Sequence, residues 1–132
     1  MTLNDVKLIG RLGKKPKAST TPKGTAVSTF YLATDESYKG QDGQTVEQTE
    51  WHRCVVYGKP ADFCNTYLDK GRLVLVNGSL RTRKWTDEEK GDQSVTEVIV
   101  AGGGGKNYVK VLDSAKRGEP TGAEAGDGDV PF

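Results

Sequence analysis

Aromatic and basic side chains recur together at three places in this 132-residue chain. In the segment 49–58, Trp51, Arg53 and Tyr57 share one face, because every second residue of a β-strand points to the same side. An aromatic ring stacks on flat rings and a cation attracts phosphate, and a single nucleic-acid strand offers both partners. Each stacked base contributes roughly 1–3 kcal/mol. The residues that we assign to such a surface are Tyr38, Lys39, Trp51, Arg53, Tyr57, Arg81, Arg83, Lys84 and Trp85.

Core packing is the alternative for these rings, and it is the commoner fate of an aromatic residue on a strand. Arg53 opposes it, because this cation lies between Trp51 and Tyr57 and would be costly to bury without a partner. A basic run is usually only a solvated face, but the run 81–84 ends in Trp85, and an exposed tryptophan is uncommon unless something packs on it. We therefore predict that these rings face outward. The residues of the opposite, inward face are then His52, Cys54 and Val56.

No arrangement of residues typical of catalysis is found in the sequence. His52 is the single histidine, and no nucleophile with its base, carboxylate pair or phosphate-binding Gly-Lys-Ser/Thr loop occurs at motif spacing. The glycine run 102–105 lacks the lysine and the helix of a phosphate loop, and is interpreted as a flexible strand exit. Cys54 and Cys64 lack metal-ligand spacing and are predicted to be buried free thiols, which fits a reducing compartment. The sequence thus predicts a protein that is not an enzyme and has no metal or other cofactor.

The charges are divided unevenly along the chain. Residues 1–118 carry +5, whereas residues 119–132 carry −4. Such an acidic end is repelled by nucleic acid and attracted to basic pockets. We predict that it binds partner proteins, since a ring beside a free carboxylate suits a pocket that holds a cation, with a frayed polar terminus as the alternative. The residues assigned to this contact are Asp127, Asp129, Val130, Pro131 and Phe132.

Hydrophobic alternation and turn residues indicate the elements that carry these side chains. The predicted strands are 6–12, 25–34, 49–58, 72–84 and 94–101, with a short helix from Pro60 to Gly71 and a last extended segment over 107–112. Long polar loops are predicted over 35–48 and 85–93, and a flexible basic loop over 14–24. Asn77-Gly78 is a hairpin signal, but we prefer a glycine bulge within one bent strand.

This order of elements predicts the fold class, all-β with one short helix. Three strands, a helix and two strands follow the order of an OB-fold, a five-stranded Greek-key barrel. An immunoglobulin-like sandwich is the rival, but it gives no reason for the helix, and the two cysteines are too close in sequence to bridge two sheets. We predict one domain over residues 1–112, and a disordered linker with an acidic tip over residues 113–132. No run of about 18 apolar residues and no signal-peptide order are found, so a cytoplasmic location is expected.

Several segments closely resemble the bacterial single-stranded-DNA-binding proteins. They are Thr49-Glu50-Trp51-His52-Arg53, Gly58-Lys59, Tyr67-Leu68, Lys70-Gly71, Gly78-Ser79-Leu80-Arg81-Thr82-Arg83-Lys84-Trp85 and the ending Asp129-Val130-Pro131-Phe132. The opening segment 6–13 and the segment 32–34 fit as well. The resemblance covers about residues 3–112 and the tip.

The resemblance implies an OB-fold that forms a homotetramer, binds single-stranded DNA without sequence preference, and serves replication, recombination and repair. It also implies recruitment of the proteins of those processes through the acidic tip, and a cytoplasmic place on the nucleoid. Trp51, Tyr57 and Trp85 match the base-stacking positions of that family, and Tyr38 stands where many relatives carry Trp. His52 matches a subunit contact.

The sequence departs from the family in three respects, and three other functions stay open at this point. Tyr38 and Tyr57 are phenols where relatives carry larger or more apolar rings. Val130 replaces the usual Ile, and the linker over 113–126 is short beside those of many relatives. An OB module for protein contacts would bind oligo-dT weakly, and a small nuclease would cleave DNA with a metal ion. An RNA-binding OB-fold of the cold-shock type would prefer RNA when matched oligomers compete.

Overall fold

A computed structural model describes residues 1–101 and 107–113 of the chain. Over these residues the chain forms nine strands and one helix. The strands are β1 (Val6–Leu12), β2 (Lys17–Thr20), β3 (Ala26–Asp35), β4 (Tyr38–Lys39), β5 (Thr45–Val46), β6 (Thr49–Tyr57), β7 (Leu73–Asp87), β8 (Gly91–Val100) and β9 (Tyr108–Val111). The helix, α1 (Lys59–Tyr67), lies between β6 and β7.

One sheet curls into a partly closed barrel. Its strand order is β1-β3-β6-β8-β7-β9, and β7, the strand before the last, also pairs with β1, which closes the sheet on itself. Neighbouring strands are antiparallel except β6 and β8, which run parallel. Five long strands with a helix between the third and the fourth form an OB-fold, so the predicted fold class is confirmed. Of the predicted disordered tail, residues 114–132 lie outside the described residues, whereas Asp113 accepts hydrogen bonds from Nε of Arg72 and the backbone N–H of Leu73.

The barrel interior is filled by the inward faces of the strands and closed by α1. The strands contribute mainly Leu, Val and Phe side chains, and the helix contributes Ala61 and Cys64, both fully buried. Pro60 occupies the first helical turn, where it removes no helical hydrogen bond, and the helix is followed by the buried Leu68. Cys54 and Cys64 are buried free thiols, as predicted, and burial raises the pKa of each to about 12. Cys54 and Val56 point inward as predicted, whereas His52 is only partly buried.

The segment predicted as a flexible basic loop contains a strand. β2 pairs antiparallel with β3 over four residues, from Lys17 opposite Thr29 to Thr20 opposite Ala26. All four side chains of β2 are exposed, so no apolar alternation marks it in the sequence. Backbone pairing along the edge of the sheet, rather than burial, forms this strand.

The two predicted polar loops are also more structured than expected. Within 35–48, β4 and β5 form a separate two-stranded sheet. Within 85–93, Trp85 pairs with Gln93 and the strands continue to Asp87 opposite Gly91. The Asp87 carboxylate accepts hydrogen bonds from the backbone N–H groups of Glu89 and Lys90, and these bonds lower the pKa of Asp87. Trp85 therefore lies on a strand, and not at the start of a loop.

Gly78 lies inside one continuous strand, as preferred over a hairpin, but without the predicted bulge. Pairing is one-to-one on both sides of it, with β1 up to Gly78 and with β8 from Ser79 onward. A Cβ on Gly78 would lie 2.4 Å from the carbonyl oxygen of Ile99 and 3.0 Å from the carbon of the same carbonyl. The glycine is needed because the backbone of β8 approaches closely where β7 changes partners.

Candidate nucleic-acid interface

The outer face of the sheet carries a row of polar and charged side chains on four adjacent strands. Tyr31 of β3 pairs with Arg53 of β6, Arg53 pairs with Glu97 of β8, and Glu97 pairs with Arg81 of β7. Directly paired residues point to the same side of a sheet. Arg83 and Trp85 follow Arg81 on that side of β7, and Trp51 precedes Arg53 on β6, so the predicted outward face is found as a continuous surface.

Glu97 lies at the centre of this row and binds two arginines. Its side chain is only 3% exposed. The Nε group of Arg53 donates to Oε2 at 2.6 Å, and the Nε group of Arg83 donates to Oε1 at 3.0 Å. Nη2 of Arg83 also donates to Oε2 at 3.3 Å. The three side chains together carry a net charge of +1.

The pKa values follow from this arrangement. Burial raises the pKa of Glu97, but the hydrogen bonds and charges of Arg83 and Arg53 outweigh it, so the pKa lies below its ordinary value. The hydrogen bond with Glu97 raises the pKa of Arg53, and the same contact raises the pKa of Arg83. All three groups are therefore charged near neutral pH.

Each of the two arginines also lies beside an aromatic ring. The guanidinium carbon of Arg53 is 5.9 Å from the centre of the Tyr31 ring, and Nη1 of Arg53 donates to the Tyr31 hydroxyl at 3.1 Å. The guanidinium carbon of Arg83 is 5.5 Å from the centre of the Trp85 ring. These are cation–π distances. Tyr31 is 47% exposed and Trp85 44%, so both rings remain accessible.

Trp51 provides a further exposed ring on this face, at 54% exposure. It is supported from below by Gly13, in the turn after β1. A Cβ on Gly13 would lie 2.5 Å from Cζ3 of the Trp51 ring, so a larger residue at this position would displace the ring from its present place. Trp51 is thus held against the surface with much of its ring open to solvent.

The other assigned residues of the face lie apart from this group. Tyr57 packs against Val27, Val55 and Ile99, a small apolar cluster at one end of the same face. Lys84 lies on the opposite side of β7 from Arg83 and Trp85, because it is the alternate residue between them. Tyr38 and Lys39 form β4, are exposed, and belong to the separate two-stranded sheet.

Three residues of this face were not assigned to it from the sequence. Glu97 is a charged residue within a strand of alternating apolar residues, and that misfit is the signal that could have identified it. Tyr31 falls on the outward face of β3 and was not distinguished from its apolar neighbours. Lys17 pairs opposite Thr29, which places it on the same side as Tyr31, but it lay in a segment predicted as a loop.

His52 makes a contact within its own chain. Its Nε2 lies 2.8 Å from the Thr34 hydroxyl oxygen, across the β3–β6 pair. The predicted role of His52 in subunit contact stays a prediction. The five tip residues assigned to partner binding lie outside the described residues.

Within residues 1–101 and 107–113, no group of His, Cys, Asp and Glu side chains is arranged to hold a metal ion. Helices long and apolar enough to cross a membrane are likewise not found in the described part of the chain.

An OB-fold barrel with exposed rings and arginines on one face defines a class of nucleic-acid-binding proteins. Residues 3–103 match the sequence profile of the Single-strand binding protein family, and the chain belongs to that family. This family consists of DNA-binding proteins rather than enzymes, which confirms the prediction that the chain is not an enzyme.

Individual relatives agree with this assignment. The chain is 48% identical over 98 residues to single-stranded DNA-binding protein 1 of Chlorobaculum tepidum, an alignment that spans 74% of this chain and 60% of that protein. The fold is similar to that of a Plasmodium falciparum SSB in complex with ssDNA, with a TM-score of 0.77, 38% identity, and coverage of 86% of this chain and 97% of the other. It is also similar to a deletion mutant of the single-stranded DNA binding protein from Thermus aquaticus, with a TM-score of 0.68, 29% identity, and coverage of 84% of this chain and 51% of the other.

Proposed function

We propose that this protein binds single-stranded DNA without sequence preference and protects it during replication, recombination and repair, at the nucleoid in the cytoplasm. The observation that carries the proposal is the outer face with Trp51, Trp85 and Tyr31 exposed beside two arginines. Every base has a π-face on which such rings stack, so binding of this kind tolerates any sequence. Family membership and the likeness to a structure in complex with ssDNA support the same function.

The arrangement of cations suggests how a strand crosses this face. Lys17 lies on β2 at one edge of this face, and Arg81 lies on β7, the strand at the other edge that also carries Trp85. Phosphates drawn to these edges leave the bases free to stack between them. Tyr38, Lys39 and Tyr57 are proposed as further contacts at the margins of this surface, and Lys84 as a contact for DNA that passes to the opposite side of β7.

We expect replacement of the two tryptophans to weaken binding without unfolding the protein. Trp51→Ala and Trp85→Ala should each cost roughly 1–3 kcal/mol of binding free energy, because each removes a stacking platform. The measurement is fluorescence anisotropy of a labelled oligo-dT, with thermal unfolding by circular dichroism as the check on folding. Trp51→Phe and Trp85→Phe are the matched controls and should retain most of the affinity.

Unchanged affinity of both alanine variants would contradict the proposed surface. Competition between DNA and RNA oligomers of one sequence separates this function from that of an RNA-binding OB-fold, since preference for RNA would favour the latter. A protein without salt-dependent affinity for oligo-dT would fit a module for protein contacts instead.

We further propose that the acidic segment 127–132 binds partner proteins of DNA metabolism. Asp127 and Asp129 precede Val130-Pro131-Phe132, so a basic pocket could hold the acids, the ring and the terminal carboxylate together. A peptide of residues 119–132 should bind such partners as the free acid and lose most of that affinity as the C-terminal amide. Equal binding of acid and amide would contradict the carboxylate contact.

A further inference from the structure

Two arginines bind Glu97, each through its Nε group, the guanidinium nitrogen that lies nearest the backbone. The Nε groups of Arg53 and Arg83 donate to its two oxygens at 2.6 and 3.0 Å. Because the guanidinium is rigid and planar, a bond at Nε together with the fixed carboxylate restricts the orientation of the whole plane. Glu97 itself cannot move far, since its side chain is 3% exposed and lies between β6 and β7.

Each of the two restricted guanidinium groups lies over a neighbouring aromatic ring. Arg53 lies at 5.9 Å from the centre of the Tyr31 ring and Arg83 at 5.5 Å from the centre of the Trp85 ring. A guanidinium plane is weakly hydrated and stacks on bases much as an aromatic ring does. Each ring therefore has a guanidinium of restricted orientation next to it, and one base can contact both groups.

The charge of these arginines is partly neutralised at the same time. One carboxylate serves two cations, so the cluster presents a net +1 rather than +2 to an approaching phosphate. Among the described residues, no carboxylate lies within salt-bridge distance of Arg81 on the same face of β7. On β7, Arg81 therefore has no carboxylate partner among the described residues, whereas Arg83, like Arg53 on β6, is held by Glu97.

We propose that Glu97 is a positioning residue that turns Arg53 and Arg83 into stacking elements beside Tyr31 and Trp85, instead of mobile ligands for phosphate. This inference rests on the proposed binding of single-stranded DNA and assigns different roles to the cations of that site. Stacking contacts persist at high salt, whereas phosphate contacts are screened, so the two roles differ in their dependence on salt.

The first test compares Arg83→Lys with Arg81→Lys. Lysine keeps the charge but has no flat plane, so Arg83→Lys should weaken oligo-dT binding at about 0.5 M salt by about fivefold, roughly half the contribution of one stacked base. Its salt slope should not change. Arg81→Lys is the matched control, with less than about a twofold change at either salt concentration. If Arg83→Lys binds like the wild type at 0.5 M salt, the positioning role is wrong.

The second test removes the carboxylate charge with Glu97→Gln. The cluster then gains one uncompensated cation, so the log–log slope of affinity against salt should steepen by about 0.7 while affinity at about 0.5 M salt falls. An unchanged slope, or tighter binding at both high and low salt, would overturn the proposal. If Glu97→Gln does not fold, Arg83→Lys decides alone, because Glu97 keeps Arg53 as its partner in that variant.

Binding of oligo-dT by the wild-type protein distinguishes a failure of this proposal from a failure of the proposed function. If the wild-type protein shows no affinity for oligo-dT, the proposed function fails, and the role of Glu97 fails with it. If the wild type binds and both variants behave as the wild type does, only the role of Glu97 is refuted.

Discussion

At the scale of single residues, the cations of the outer face differ in what holds them. Arg53 and Arg83 share the buried Glu97, whereas among the described residues Arg81 and Lys17 have no carboxylate within salt-bridge distance. Removing one partner of a buried ion pair strongly destabilises the folded protein, because an uncompensated charge remains buried. The cluster is therefore a part of the fold as well as a part of the face.

The pH dependence of stability should report on this acid. The folded-state pKa of Glu97 lies below its ordinary value of 4.5, so its contribution to stability is fully present above about pH 4.5 and is lost as the pH falls through the lowered pKa. The difference in the free energy of unfolding between the wild type and Glu97→Gln should be constant from about pH 5 to 7 and should shrink at lower pH. Urea unfolding followed by circular dichroism measures it. A difference that stays constant down to about pH 3 would contradict the shift.

The rings of the site could be predicted from the sequence, but the acid that organises the arginines could not. Alternation placed Trp51 and Arg53 on one outward face, because the period of a strand depends only on local geometry. Glu97 is 44 residues from Arg53 in the chain. Only the parallel pairing of β6 with β8 brings the two together, and no local pattern contains that pairing.

At the scale of elements, the two halves of β7 belong to different parts of the fold. Its first half pairs with β1 and β9 in the barrel wall, and its second half pairs with β8 in a hairpin that carries Arg83 and Trp85. Gly78 lies where the first set of partners gives way to the second. The position of the ring-bearing hairpin relative to the barrel thus depends on one close backbone approach.

We expect Gly78→Ala to destabilise the protein by about 2–4 kcal/mol, because the new Cβ would overlap the carbonyl of Ile99 and neither backbone can yield cheaply. Urea unfolding measures the effect. Gly43→Ala is the matched control: its φ is +83°, but nothing lies within 4 Å of the added Cβ, so only the conformational cost of about 1–2 kcal/mol applies. Equal losses in the two variants would show that close approach at Gly78 is not the cause.

Element boundaries were predictable where apolar residues alternate and less so where backbone pairing alone forms the strand. The barrel strands and the presence of the helix were predicted because burial gives their residues a regular apolar period. The helix, however, ends at Tyr67, before the predicted end at Gly71. β2 and the outer ends of β7 and β8 are exposed on most positions, so their residues resemble those of loops. These segments are strands because their backbones pair with other strands, and no local pattern in the sequence indicates that pairing.

At the scale of the whole molecule, assembly is the main expectation still to be tested. We expect a homotetramer, in which His52 contributes to a subunit contact. The structure also gives His52 a partner in its own chain, the Thr34 hydroxyl at 2.8 Å. The two roles can be separated by variants that affect one and not the other.

His52→Glu should shift the protein toward monomers, because a charge in an interface between copies of one chain is repeated by symmetry. Multi-angle light scattering at micromolar concentration measures the shift. Thr34→Val is the control, since it removes the hydrogen bond within the chain and adds no charge; it should leave the tetramer intact. A stable monomer of the wild-type protein would refute the assembly itself.

The placement of the tryptophans has a further, optical consequence. The chain contains two tryptophans, and both are exposed on the outer face, Trp51 by 54% and Trp85 by 44%. Indole emission is set by the polarity around the ring, so the folded protein should already emit near the wavelength of an indole in water. Heating or denaturant will then move the emission maximum very little while the barrel unfolds. The intrinsic fluorescence of this protein should therefore report on contacts at its outer face and change little when its core unfolds.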